Sequence, residues 1–148
     1  MPHCILEYSS NVIDPPEMRR VLLEINRALA QTGLFELKDI KSRVVKHKDF
    51  VVGDGNPNKA FVTLNIQIFS GRSDEAKAQV SQAAFHVLQT AFSKSLEQQN
   101  CSITIQVTDI HRPSYRRNLS QVAHVVRPRD KTELAISGYV PLTRGGPL

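Results

Sequence analysis

Tryptophan is absent, and aromatic residues make up only 6% of the 148 positions. That scarcity leaves no row of rings on which a single-stranded nucleic acid could stack. Only two cysteines occur, Cys4 and Cys101, too few for a disulfide framework. Each sits in an apolar, strand-like stretch, where a buried free thiol is the expected state. No apolar run approaches the ~18 residues that a membrane helix needs. The first residues also lack the charged-then-apolar pattern of a secretory signal. A cytoplasmic location, without membrane association, is therefore expected. The histidines show no short ligand spacing among themselves or with the cysteines, and no helical stretch carries His at i and i+4, so no metal site is expected.

The hydrophobic fraction of 41% is ordinary for a chain that builds a core, and the length suits one compact domain. The net charge of +5 favours an anionic partner without choosing between a small acid and nucleic acid. Many of the cations fall late, at Arg112, Arg116, Arg117, Arg127, Arg129, Lys131 and Arg144. They are dispersed among prolines and polar residues rather than gathered on a basic helix, which disfavours nucleic acid.

Residues 3–8 read as a strand. Asp14, Pro15 and Glu17 then read as an N-cap, a first helical position and the third residue of a capping box. Met18, Val21, Leu22, Ile25, Ala28 and Leu29 follow at helical spacing, and Gly33 is placed to end that helix with a left-handed residue. From about Ile40 to Val52 the pattern is strand-like, and Gly53 to Asn58 is a loop. The scheme then repeats. Ala60 to Phe69 alternates as a strand, Gly71 turns, Ser73 caps, and an apolar stripe runs from Ala76 to Leu96. Ser102 to Ile110 alternates again. The two copies are offset by about 59 residues, with little identity between them.

Each copy is a βαβ unit with parallel strands and a right-handed crossover. The fold class expected is α+β: two tandem βαβ units forming a four-stranded mixed sheet with two helices on one face. The repeats span about 1–58 and 59–124. The segment 125–148, with Pro128, Pro141, Pro147 and Gly145-Gly146, reads as an extended C-terminal arm. Apolar positions on the second sheet face suggest that oligomerisation covers it.

Three features carry chemistry. Pro2 follows Met1 directly, and methionine before a small residue such as proline is ordinarily removed. The product would be a secondary amine held at the start of a strand. A terminal amine titrates near about 7.7–8.0, and nearby cations or an apolar setting lower that value by disfavouring the charged form. A base poised near neutrality suits proton shuttling. Arg72, in Ser70-Gly71-Arg72-Ser73-Asp74-Glu75, stands at a helix start, where free N–H groups already attract anions and a guanidinium fork can grip a carboxylate. Pairing with Asp74 or Glu75 is the plainer role for that arginine. Lys41 and Arg43 lie two apart in a strand and so point to one face, as a solvated pair or as an anion site.

Together, Met1-Pro2-His3 with Ile5 and Glu7, Thr32-Gly33-Leu34-Phe35, Ile40-Lys41-Ser42-Arg43-Val44, Ala60-Phe61-Val62 and Gly71-Arg72-Ser73 resemble the 5-carboxymethyl-2-hydroxymuconate isomerase family. The run Gly71 to Glu75 is also similar to 4-oxalocrotonate tautomerase, a half-length relative built from one βαβ unit. The resemblance extends over residues 1–124, including His111 and Val122-Ala123-His124. It implies a homotrimer of tautomerase fold without metal or organic cofactor. It implies Pro2 as the acid/base catalyst, with Arg72, Lys41 and Arg43 holding substrate carboxylates. The family often has arginine where this chain has Lys41, and lysine keeps the charge but loses the planar fork.

The function expected is a cofactor-independent tautomerase, moving a proton in a small unsaturated 2-hydroxy or 2-oxo carboxylic acid. Two other readings stand beside it. A same-superfamily dehalogenase or decarboxylase would use the same amine, and water activation would want a further carboxylate, for which Glu7 is the candidate. A non-catalytic anion- or nucleic-acid-binding module would use the charge alone.

Overall fold

The computed structural model describes residues 1–120. Met1–Tyr115 form one compact unit and Arg116–Leu148 a second, of which only 116–120 are described. The arm expected over 125–148, and the Val122-Ala123-His124 run, lie outside the described residues.

The elements of the first unit are β1 (His3–Ser9), α1 (Met18–Gln31), β2 (Lys41–His47), β3 (Lys59–Phe69), α2 (Asp74–Ala91), a short α3 (Ser93–Gln98) and β4 (Asn100–Ile110). Two 3-10 turns, Leu37–Asp39 and Arg112–Ser114, precede β2 and follow β4. The sheet order is β2-β1-β3-β4. β1 runs parallel to β2 and β3 parallel to β4, while β1 and β3 meet antiparallel in the middle. This is the expected pair of βαβ units in one mixed sheet, and the core places α1 and α2 on a single face.

That face is apolar because the strands alternate. Cys4 and Leu6 of β1, and Ala60, Val62, Leu64, Ile66 and Ile68 of β3, are fully buried. They meet Val21, Ile25 and Leu29 of α1 and Val80, Ala84 and Leu88 of α2. Each such Leu, Ile or Val contributes about 1.5–3 kcal/mol when taken fully from water. The other sheet face is mixed: His3, Ile5 and Glu7 lie in register with Lys41, Arg43 and Val45 on one side, and with Gln67, Asn65 and Thr63 on the other.

Four local expectations need correction. Asp14 is not the N-cap of α1. Glu17 is, with its carboxylate accepting from the Arg19 and Arg20 amides at 3.0 and 2.8 Å. The residue before a proline is steered away from helical backbone, so Pro16 keeps Pro15 out of the helix. Asp14 instead turns the chain at φ 47° and pairs with Lys94. β2 stops at His47, not Val52, because its partner β1 ends at Ser9. The second helical stripe is broken at Phe92, which buries its ring beside Tyr8, 6.4 Å away. β4 also begins two residues earlier than its alternation suggested. The Ser73 cap of α2 is present, its hydroxyl accepting from Ala76 N at 3.2 Å, and Gly33 adopts φ 77°.

Candidate functional site

The strand directions decide what can meet. β1 and β2 both start at one end of the sheet, and the antiparallel β3 finishes there. β4, parallel to β3, finishes there as well, with Phe69 opposite Ile110. Pro2, Lys41, Gly71-Arg72 and the turn after Ile110 are thus drawn to one sheet end from four separate parts of the sequence.

Pro2 is buried, and its carbonyl accepts from Lys41 N at 3.1 Å, which ties the first residues to the start of β2. Met1 lies over this junction. Its Sδ accepts from Lys41 Nζ at 3.0 Å and from Tyr115 Oη at 3.4 Å. His3, half-buried, places Nε2 3.0 Å from Tyr115 Oη. Burial lowers the His3 pKa below its ordinary 6.5, and Arg43, Lys41 and the terminal ammonium push the same way. The positive field of the two strand cations therefore falls on the chain's start.

Arg72 is exposed but fixed. Its Nη2 donates to Leu34 O at 2.8 Å, and its guanidinium stands 5.0 Å from the centre of the Phe35 ring. Thr32-Gly33-Leu34-Phe35 is the turn after α1, so the first repeat supplies the wall on which the second repeat's arginine rests. Among the described residues no ion pair joins Arg72 to Asp74 or Glu75, and none engages Lys41 or Arg43. Arg72 borders a depression of about 480 Å³ with Ser70, Gly71, Ser73, Ala76 and Arg112. The capped N-terminus of α2 opens onto it, adding the positive end of an 18-residue helix.

Sequence reasoning counted Arg112 only as charge and overlooked Tyr115. Arg112 donates through Nε to Ser70 O at 3.1 Å and stacks 4.7 Å from the Phe69 centroid. Tyr115 meets the same Phe69 ring edge-on at 5.1 Å. The signal available was topological: whatever follows the last strand must arrive beside whatever follows β3. Glu7, the candidate extra carboxylate, lies toward the other end of β1, where Oε1 is held 3.0 Å from His47 Nε2. Among the described residues no group of three or more His, Cys, Asp or Glu is placed to hold a metal ion.

The profile of the 5-carboxymethyl-2-hydroxymuconate isomerase family matches residues 2–122. The chain belongs to that family. A 5-carboxymethyl-2-hydroxymuconate Delta-isomerase from Escherichia coli is 30% identical over 111 residues, which is 75% of this chain and 88% of the relative. A solved 5-carboxymethyl-2-hydroxymuconate isomerase from Deinococcus radiodurans R1 superimposes with a TM-score of 0.74 at 27% identity, covering 80% of this chain and 90% of that one. A fused 4-OT, solved as a symmetric trimer, shares the fold at a TM-score of 0.56 and 14% identity, over 72% of this chain and 85% of its own. As a member of the 5-carboxymethyl-2-hydroxymuconate isomerase family, the protein is an isomerase of tautomerase fold. Its described residues contain no helix long and apolar enough to cross a membrane.

Proposed function

We propose that the protein shifts a proton within a 2-hydroxy dienoate bearing several carboxylates, of the 5-carboxymethyl-2-hydroxymuconate type, with Pro2 as the base. The observation that supports this reading is the placing of Lys41 and Arg43 beside the first residues, where both act on His3 and Lys41 reaches Met1, while Arg72 follows β3 at the same end of the sheet, and none of the three has a carboxylate partner among the described residues. A muconate is a dicarboxylate, and a carboxymethyl group adds a third anion. Cations without carboxylate partners suit such a ligand, and a guanidinium at a helix start is well placed for one carboxylate.

The reaction needs Met1 removed, which leaves Pro2 a secondary amine. The 2-hydroxyl loses its proton to that nitrogen, and the oxygen's electron pair becomes C2=O. The C2=C3 pair moves to C3–C4, and the C4–C5 pair takes the proton back from Pro2 at C5. Nothing is gained or lost overall, so no oxidant or cofactor enters. Lys41, Arg43 and Arg72 hold the carboxylates, oppose protonation of the amine, and stabilise the charge that builds on oxygen. A homotrimer is proposed as the working assembly, closing the mixed sheet face.

Water activation is the less favoured chemistry, because Glu7 lies about 16 Å along the strand from Pro2 and is engaged by His47. The deciding experiment pairs intact mass spectrometry with kinetics on 5-carboxymethyl-2-hydroxymuconate. The native mass should lack Met1, and Pro2→Ala should slow kcat by about 10² or more. Retained Met1 in an active preparation, or unchanged kcat in Pro2→Ala, would end this reading.

A further inference from the structure

Two hydrogen-bond donors converge on one atom beside Pro2, and that atom is not part of the fold's core. Lys41 Nζ and Tyr115 Oη both donate to Met1 Sδ, at 3.0 and 3.4 Å. A thioether sulfur is a weak acceptor. Its interest is its position, since it is tethered to the Pro2 nitrogen by a single residue and so lies within that residue's reach of the amine. Removing Met1 withdraws that acceptor from both donors.

We propose that Tyr115 is a catalytic residue of this isomerase. Its phenol, together with the Lys41 ammonium, donates to the 2-oxygen of the substrate where Met1 Sδ now sits, and His3 is the positioning residue that orients the phenol. The proposal rests on the Pro2 reading above and adds to it an oxyanion site with named donors.

The orientation follows from proton counting. Tyr115 has one hydroxyl proton, and its oxygen stands 3.0 Å from His3 Nε2 and 3.4 Å from Met1 Sδ. A thioether cannot donate, so a phenol proton directed to sulfur leaves the contact to His3 to an Nε2–H, and the proposal assigns the same His3 tautomer once Met1 is gone. His3 then donates to the phenol oxygen, and the phenol donates onward to the ligand. Burial and the adjacent cations favour the neutral imidazole, which can carry its single N–H on Nε2. Phe69 fixes the ring from its side, edge-on at 87°, and Phe69 is itself covered by the Arg112 guanidinium. The phenol is thus held before substrate arrives, which is the condition for a donor to be worth more in the transition state than in water.

The step it assists is the one already balanced above. As the 2-hydroxyl proton passes to Pro2, negative charge accumulates on the oxygen, and a hydrogen bond to an anion strengthens as that charge grows. Tyr115 keeps its own proton throughout and forms no covalent bond.

The test uses protein whose mass shows Met1 absent. Tyr115→Phe keeps the ring and deletes the donor, so kcat on 5-carboxymethyl-2-hydroxymuconate should fall by about 10², as for loss of one oxyanion donor, with KM changed less than about threefold. His3→Leu should lose kcat to a similar degree, whereas His3→Gln, which retains an N–H donor, should recover most of it. The double variant Tyr115→Phe/His3→Leu should be no worse than Tyr115→Phe alone. Calorimetric binding supplies a readout that needs no turnover. 2-Oxoadipate should bind Tyr115→Phe about 3–10-fold more weakly than wild type, the scale of one neutral hydrogen bond, while adipate, which lacks the 2-oxygen, should bind both proteins alike. If Pro2→Ala abolishes turnover but Tyr115→Phe keeps wild-type kcat, the inference is overturned and the Pro2 reading stands. Equal weakening of 2-oxoadipate and adipate in Tyr115→Phe also overturns it. Wild-type kcat in Pro2→Ala overturns the reading beneath both.

Discussion

His3 sits half-buried, with Lys41 beside it in the sheet register and the cationic side chains of residues 41 and 43 acting on its ring. Its pKa is lowered by burial first and by those cations second. An unfolded chain would bind a proton at this histidine below about pH 6.5, while the folded chain resists. The favourable contribution is therefore complete above 6.5 and is lost as pH falls through the lower folded value. Replacing His3 by Gln should flatten that acid-side decline, which urea titrations between pH 7 and 5 would register. Cys4 makes a companion case: burial, opposed by a Ser42 hydrogen bond and by Arg43, pushes its thiol up to about 11. In native protein at pH 8, iodoacetamide should leave Cys4 unmodified, and alkylation of both thiols should require denaturant. On the proposed reading, Arg72→Ala removes a charge-assisted grip on a substrate carboxylate, about 1.5–3 kcal/mol, so KM should rise roughly 10–10²-fold. On that reading the same change also takes a cation from the amine's surroundings. The acid limb of kcat/KM should then move to higher pH, because a more basic nitrogen is protonated sooner as pH falls.

At the scale of elements, the cap of α1 offers a direct check. Glu17 satisfies two backbone N–H groups, and Glu17→Ala should cost about 1 kcal/mol of stability in thermal or urea unfolding. β3 alternates without fault over 11 residues and was legible, as were the Ser73 cap and the left-handed Gly33, because each obeys a rule confined to its neighbours. The α1 start was misread because two adjacent prolines outweigh a capping-box spacing. The end of β2 and the break at Phe92 were invisible to periodicity, since one depends on where a partner strand stops and the other on a ring finding space beside Tyr8. The site divides the same way. Pro2, Lys41, Arg43 and Arg72 stood out through motif and resemblance. Tyr115 and Arg112 occupy an irregular turn with no pattern of its own, and they reach the site only through the order of strands.

For the whole molecule, the sheet face away from the helices carries the next expectation. Its centre pairs Thr104 with Thr63 at 2.9 Å and Thr108 with Asn65 at 3.0 Å, and Ile5, Val45 and Phe61 lie on the same face by strand alternation. Sedimentation equilibrium should give about three times the chain mass if copies close over this face, and Thr63→Lys, which places charge at its middle, should lower that mass. A wild-type monomer would leave the face open to water and refute the proposed assembly.

The antiparallel join between β1 and β3 also limits what the duplication can achieve. The repeated unit places two equivalent corners at opposite ends of the sheet. At one corner the polypeptide can present a terminus. At the other, the corresponding position lies within continuous chain at Ala60-Phe61, where the nitrogen is an amide and cannot accept a proton. Doubling the unit has therefore doubled the scaffold without doubling its basic nitrogens, and the second corner is available to serve purposes that need no amine.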